Sequence, residues 1–255
     1  MKQYGGMSAR VGSKRQWYEE WFGEEYLKVY NHRNQEDARR LIKLIFSYVP
    51  LNNLEWMLDV GCGHGRHARL LANENKKVIG IDLSHLLIEK ARKDCQHLTN
   101  IRFFRANKSA LPLKSVFQAV FSLFTSFGYF DTDVENQNVL EQYAFVLRKK
   151  GWLVIDYLNP GYVRKNLERE SKRHHNAMLI QEKRWIAGGR INKKIILKSQ
   201  NRQKTFLESV RLYELSDMLQ MLDQSGFETI VSLGDYYGHS FTADSPRMIL
   251  INRKK

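Results

Sequence analysis

The sequence predicts an α/β fold: a doubly wound seven-stranded sheet with a small antiparallel β cap inserted after the fifth strand. Three observations carry this. Short apolar strand patterns alternate with helical ones from Trp56 to Tyr157, which predicts a parallel sheet with helices on both faces. The first strand, Trp56-Met57-Leu58-Asp59-Val60, runs into the glycine loop Gly61-Cys62-Gly63-His64-Gly65 and then a helix. After Pro160 the rhythm changes to paired strands. Right-handed crossovers limit such a chain to the Rossmann-like arrangement.

The elements follow in order. Met1 to Lys14 is polar and loose. From Trp17 to Val49 the pattern is helical, with Trp17, Tyr18, Trp21, Phe22, Tyr26 and Tyr30 followed by Leu41, Leu44, Ile45 and Tyr48 at three-to-four spacing. Pro50 and Asn52-Asn53 end it. Gly65 to Asn73 reads as a helix, Lys77 to Ile81 as a strand, and Ser84 caps a helix bearing Leu87, Ile88 and Ala91 on one face. Ile101 to Phe104 and Phe117 to Phe121 are strands, Val134 to Leu147 a helix and Gly151 to Tyr157 a strand. Met178 to Ile186 and Ile191 to Leu197 form a hairpin about Ala187-Gly188-Gly189-Arg190, with Thr205 to Tyr213 as a third strand. Ser216 to Ser225 is a helix ended by Gly226. Thr229 to Leu233 and Arg247 to Asn252 complete the main sheet.

Composition narrows the function. A chain of 255 residues with 43% hydrophobic content supports one sizeable core. No apolar run approaches the roughly 20 residues that cross a bilayer, and Met1 to Arg15 lacks the apolar centre of a secretory signal. Two cysteines, Cys62 and Cys95, fit reduced thiols in a cytoplasmic protein. The net charge is +14, and Gly161 to Arg211 holds fourteen Lys/Arg against four Asp/Glu. A basic segment is compatible with RNA as a partner, through phosphate contacts, or with a solvated face. The adjacent His174-His175 pair has poor ligand geometry, and no metal site is expected.

Glycines in the loop permit a tight turn and close approach of a ligand to the backbone. Asp82 ends the second strand, 21 positions after Gly61, where an acid reaches ribose hydroxyls. The third glycine place of a nicotinamide site is Arg66, and no phosphate-loop Gly-Lys-Ser/Thr element exists. Asp59 suits a cationic ligand head better than a pyrophosphate, because carboxylate and phosphate repel. It equally suits a structural acceptor for loop amides, and both roles can coexist.

Leu58-Asp59-Val60-Gly61-Cys62-Gly63-His64-Gly65-Arg66-His67 and Val78-Ile79-Gly80-Ile81-Asp82-Leu83-Ser84 resemble the first two motifs of class I S-adenosylmethionine-dependent methyltransferases. The resemblance continues through Phe121 to Phe130, Leu147 to Asn159 and Ser245 to Leu250, over roughly Tyr26 to Lys254. It implies an enzyme with S-adenosyl-L-methionine as cofactor, similar to small-molecule N- and O-methyltransferases. By position it implies that Gly61, Cys62 and Gly63 line the methionine part. Asp82 takes the ribose and Leu83 flanks the adenine. Asn107, where the family usually has Asp, sits at the adenine amino group with Lys108 beside it, and Leu123 approaches the sulfur. Tyr26 and Arg33 close over the methionine end, Arg33 as a carboxylate clamp. The pattern along the chain divides a single domain into four parts: a helical lid segment (1–50), a cofactor-binding core (51–160), the inserted cap (161–212) and the C-terminal part of the sheet (213–255).

Methyl transfer asks for positioning and exclusion of water, with a general base only when the acceptor carries a proton. By location the catalytic candidates are Asp131, Asp156 and His239, and the substrate candidates Phe124, Phe127, Tyr129 and Asn159. The leading reading is transfer to an N or O atom of a small metabolite by a monomer or homodimer. The alternatives are an RNA methyltransferase and a non-catalytic S-adenosylmethionine-binding protein. Against RNA, Ser122-Leu123-Phe124-Thr125 lacks the Pro-Pro-aromatic signature of enzymes acting on exocyclic base amines, and no Pro-Cys or Thr-Cys pair occurs.

Overall fold

The computed structural model describes residues 16–30, 35–200 and 202–255. The five parallel strands are β1 (Trp56–Val60), β2 (Lys77–Asp82), β3 (Ile101–Arg105), β4 (Phe117–Ser122) and β5 (Leu147–Leu158). The cap adds β6 (Glu170–His175), β7 (Met178–Ala187), β8 (Arg190–Ser199) and β9 (Arg202–Arg211), and the chain closes with β10 (Phe227–Leu233) and β11 (Arg247–Lys254). The main sheet has seven strands in the order β10-β11-β5-β4-β1-β2-β3, with β11 antiparallel to both neighbours. Central β1 and β4 are covered on both faces, which is why they read as nearly unbroken apolar runs rather than alternating ones.

The helices are α1 (Trp17–Trp21), α2 (Glu24–Val29), α3 (Gln35–Tyr48), α4 (Arg66–Asn73), α5 (His85–Asp94), α6 (Asp133–Val146), α7 (Pro160–Lys165) and α8 (Leu215–Gln224). One face of the sheet buries Leu41 and Ile45 of α3, Leu71 of α4 and Ile88 of α5; the other buries Val139, Leu140 and Tyr143 of α6 and Leu222 of α8. Ser84 caps α5 as the sequence predicts, accepting the Leu87 amide at 3.2 Å. Thr132 and Glu135 form a reciprocal capping box on α6. Among the described residues no helix is long and apolar enough to cross a membrane.

Two expectations change. The single helical pattern from Trp17 is three helices, because Gly23 caps α2 after a turn at Phe22. The cap is a four-stranded meander, β6-β7-β8-β9, rather than three strands. The extra strand, β6, is polar throughout, so it carries no apolar period to read.

The cap and the first helices share a core. Trp21, Tyr26 and Val29 pack with Leu87 of α5 and with Ile180, Ile195 and Leu197 of the cap sheet. The cap thereby stands over the carboxyl ends of the parallel strands, where ligands bind in open α/β sheets.

Candidate active site

The three loop glycines are present for different reasons. Gly61, Gly63 and Gly65 all have positive φ, at 69°, 56° and 81°, a region side chains enter at a cost. A Cβ on Gly61 would lie 2.9 Å from the Ser126 side chain, and one on Gly65 would lie 2.7 Å from Phe103, so these two serve packing. A Cβ on Gly63 meets nothing within 4 Å. Gly63 instead faces a cavity of about 610 Å³ above the ends of β1, β2 and β4. Asp82 holds the loop in place: its two carboxylate oxygens accept the Gly63 and Ser84 amides, each at 2.9 Å.

Two charges beneath and beside the loop are perturbed. Asp59 is buried, with Oδ2 lacking any partner. Burial pushes its carboxyl up to about 7, the neighbouring Asp82 adds to this, and the Ala68 amide and Arg66 pull against it. Lys108 lies across the cleft, donating to the Ser126 carbonyl at 2.5 Å with its ammonium 3.9 Å from the Tyr129 ring centre. Burial brings Lys108 down to about 7, with Asp82 opposing. Asn107 turns its amide oxygen toward Ser109, accepting from its amide at 3.0 Å and its hydroxyl at 2.9 Å.

Of the residues singled out from sequence, Tyr26, Gly61, Cys62, Gly63, Asp82, Leu83, Asn107, Lys108, Leu123, Phe124 and Tyr129 line the cavity. Arg33 lies outside the described residues. Asp59 sits below the cavity wall, which corrects its placement as a direct ligand contact.

The three catalytic candidates do not reach the cavity. Asp131 is exposed and faces Gln16 at 3.5 Å. His239 is exposed and bonded to Asp235 at 2.6 Å. Asp156 is fully buried, with its oxygens taken by the Phe124 amide, the Tyr236 hydroxyl and Arg247. Two substrate candidates are also structural. Phe127 is core against Tyr157 and Tyr213, and Asn159 caps α7 while donating to the Thr242, Ala243 and Ser245 carbonyls. Each lies at the correct end of the sheet, but that end has a cavity side and a packed side.

The roof holds residues that sequence reasoning did not place. Glu208 of β9 accepts from the Trp21 indole at 2.5 Å and the Tyr30 hydroxyl at 2.7 Å, and faces Lys193 of β8 at 3.2 Å. Lys193 also bonds Tyr30, and Arg184 of β7 pairs with buried Glu182. Trp17, Tyr18 and Phe22 crowd Tyr129 and Phe130. The signal was strand alternation: Lys193 shares its face with Ile191, Ile195 and Leu197, so it turns inward with them. That removes Lys193 from any phosphate-tracking face, and Lys204 pairs with Glu25, while Lys194, Lys198 and Arg202 stay exposed.

This geometry is a glycine loop with an acid at the end of the second strand, facing a cavity that the cap roofs over. Residues 57–151, from β1 into β5, match the family described as Methyltransferase domain. The match takes in the glycine loop, Asp82 and the strands that carry them. A candidate methyltransferase of Geobacillus sp. (strain WCH70) is 35% identical over 139 residues, 54% of this chain and 56% of that protein. The chain thus spans about half the length of this curated relative. The methyltransferase CcbJ of Streptomyces caelestis superposes with a TM-score of 0.78 at 18% identity, over 92% of this chain and 98% of its own. An amino pentose methyltransferase from Micromonospora echinaspora, solved with S-adenosylmethionine bound, gives 0.67 at 17% identity, over 91% and 97%. At these identities the solved methyltransferases share the fold.

The residues here fit S-adenosylmethionine. Gly63 offers an open cradle that a Cβ would fill, and Asp82 stands at its edge.

Proposed function

We propose that the protein transfers a methyl group from S-adenosylmethionine to an N or O atom of a small metabolite, in the cytoplasm. The observation that carries this is the continuous cavity of about 610 Å³ running from Gly63 and Asp82 to the capped roof. Its size is that of a small-ligand site, and its cap turns side chains inward over it. Bound there, the cofactor supplies an electrophilic methyl group on a sulfonium.

The protein's own contribution is placement. Asp82 accepts from the ribose, and Gly63 admits the ligand against the backbone. Leu123 and Phe124 form the wall at the transfer end, and Trp17, Phe22 and Tyr129 exclude water. Because Asp131, Asp156 and His239 stand outside the cavity, the reading assigns none of them to proton transfer.

RNA as the acceptor is the second reading, supported by the +14 charge and by exposed Lys194, Lys198 and Arg202. Calorimetry tests the cofactor: S-adenosylhomocysteine should bind and NAD should not, and the reverse result rejects the reading. Tritium transfer from labelled S-adenosylmethionine to total RNA and, separately, to a small-metabolite extract tests the acceptor. Stoichiometric labelling of RNA at physiological salt promotes the second reading. Cofactor binding with no labelling of either leaves a non-catalytic binding protein.

A further inference from the structure

The chain leaving β4 is bent in a way ordinary residues avoid. Phe124 and Thr125 have φ of 54° and 63°, and neither is glycine. Such residues cost on the order of 1 kcal/mol or more each and persist only where surroundings over-determine them. Here the determinant is Asp156. Its Oδ2 accepts the Phe124 amide at 2.9 Å, and its main-chain carbonyl accepts the Thr125 amide at 2.8 Å. Tyr236 donates to the same Oδ2 at 3.0 Å.

The other carboxylate oxygen fixes a cation. Arg247, at the start of β11, aims Nε and Nη2 at Asp156 Oδ1, both at 2.7 Å, and Nη2 also donates to Thr125 Oγ1 at 3.0 Å. Asp156 is 0% exposed, so the guanidinium compensates a carboxylate that water does not reach. Two of the three guanidinium nitrogens are consumed. Nη1 has no protein acceptor among the described residues, and Arg247 borders the cavity. Its guanidinium lies 5.7 Å from the centre of the Phe124 ring, with that of Arg66 at 4.7 Å. Two cations therefore flank Phe124, two residues past the end of β4.

The position separates this group from the cofactor's acid. Asp82 ends β2, whereas Arg247 begins β11, four strands away in the sheet order. At about 4.8 Å per strand that is roughly 19 Å between strand axes, and the arginine reaches back only as far as Phe124 and Thr125 after β4.

We propose that Arg247 is a preorganised carboxylate-binding residue in the transfer half of the cavity, and that the methyl acceptor is a small molecule carrying a carboxylate. Nη1 keeps two N–H donors on a cation whose plane Asp156 already fixes, so a carboxylate can accept a charge-assisted hydrogen bond there. Held already by Asp156, the guanidinium has little freedom left to lose when a second anion arrives. Arg247 acts here as a positioning and specificity residue that fixes one end of the acceptor near Phe124. The proposal rests on the methyl-transfer reading for the identity of its ligand.

The test separates the two. Wild type and Arg247→Lys are compared for S-adenosylhomocysteine affinity by calorimetry, and for tritium transfer from labelled S-adenosylmethionine to a metabolite extract fractionated by anion exchange. The lysine variant keeps a charge beside Asp156 but loses the Nη1 donors. The double variant Arg247→Met/Asp156→Asn, which removes both charges together, covers the case in which the single variant fails to fold by near-ultraviolet circular dichroism. The expected result is wild-type labelling confined to the anionic fraction, cut about 30-fold or more in kcat/KM by either variant, with S-adenosylhomocysteine affinity held within about 3-fold. A tenfold loss of S-adenosylhomocysteine affinity overturns the proposal by assigning Arg247 to the cofactor's own carboxylate. Labelling of a neutral or cationic fraction, or unchanged transfer in the variants, overturns it while leaving methyl transfer intact. A wild type that binds no S-adenosylhomocysteine and labels nothing overturns both.

Discussion

On the floor of the cavity the groups that meet a ligand are set by main chain: a loop at Gly61 to Gly63 whose amide is pinned by Asp82. The roof presents side chains instead, Lys193, Glu208 and Arg184, brought together from three strands and tied to Tyr30 and Trp21 of another part of the chain. The floor depends on φ angles and a fixed spacing, and little else would serve there. The roof depends on charge pairs that can be exchanged in pairs without disturbing the backbone. Under the proposed reading, the part that holds the cofactor is tied to backbone geometry and the part over the acceptor to side-chain pairs.

Breaking the floor should have the largest effect. Gly63→Val places a branched side chain where a Cβ now meets only open space. S-adenosylhomocysteine affinity should fall by more than about 100-fold, about 2.7 kcal/mol, while near-ultraviolet circular dichroism stays native; retained affinity would remove the loop from the site. Asp82→Ala should weaken the same binding by about 1–3 kcal/mol, the scale for losing a charged acceptor, and an unchanged calorimetric titration of the folded variant would take Asp82 off the ribose.

The roof should respond in stability rather than in cofactor binding. Glu208→Ala removes the acceptor of the Trp21 indole and the Tyr30 hydroxyl, and the nearer of the two carboxylates that face Lys193. Urea unfolding should show a loss of about 1–3 kcal/mol, with S-adenosylhomocysteine affinity within about 3-fold. A large affinity loss would mean that floor and roof do not separate.

Asp59 sharpens the comparison from below. Its native carboxyl, raised to about 7 by burial, keeps a proton that the unfolded chain releases near 3.8. Stability contributed by this group is thus present below that lower value and lost as pH rises through about 7. Wild type should lose about 2–3 kcal/mol more than Asp59→Asn between pH 5 and pH 8, read from urea unfolding at each pH. Parallel pH profiles for the two proteins would contradict the raised value. The smallest effect belongs to the solvated outer face of the cap: Lys194→Ala and Lys198→Ala should each shift stability by under about 0.5 kcal/mol and leave cofactor affinity unchanged.

The contrast between floor and roof also explains what could be read in advance. The parallel strands announce themselves because β1 and β4 are buried on both faces, and the glycine loop because its spacing to Asp82 is local along the chain. The break at Gly23 was masked because aromatic residues continue at helical spacing across it. Strand β6 was missed because Glu170 to His175 has no apolar alternation. Asp156 and Asn159 were placed at the right edge of the sheet, but the direction each faces is decided by partners far along the chain, Arg247 for one and Ser245 for the other. Arg247 itself becomes visible only through antiparallel pairing, which sets it beside Leu158.

The union of the first helices with the cap has a consequence during synthesis. Trp21 and Tyr30 find their acceptor, Glu208, 187 and 178 positions downstream. At about 5–20 residues per second of translation, α1 and α2 emerge about 10–40 seconds before β9 exists to receive them. For most of that interval Trp21, Tyr26 and Val29 lack the cap residues Ile180, Ile195 and Leu197 that they later bury against. The nascent chain therefore carries an apolar aromatic segment that chaperones can hold and proteases can cut until the last cap strand leaves the ribosome, and slowing translation between the two should lengthen that exposure in proportion.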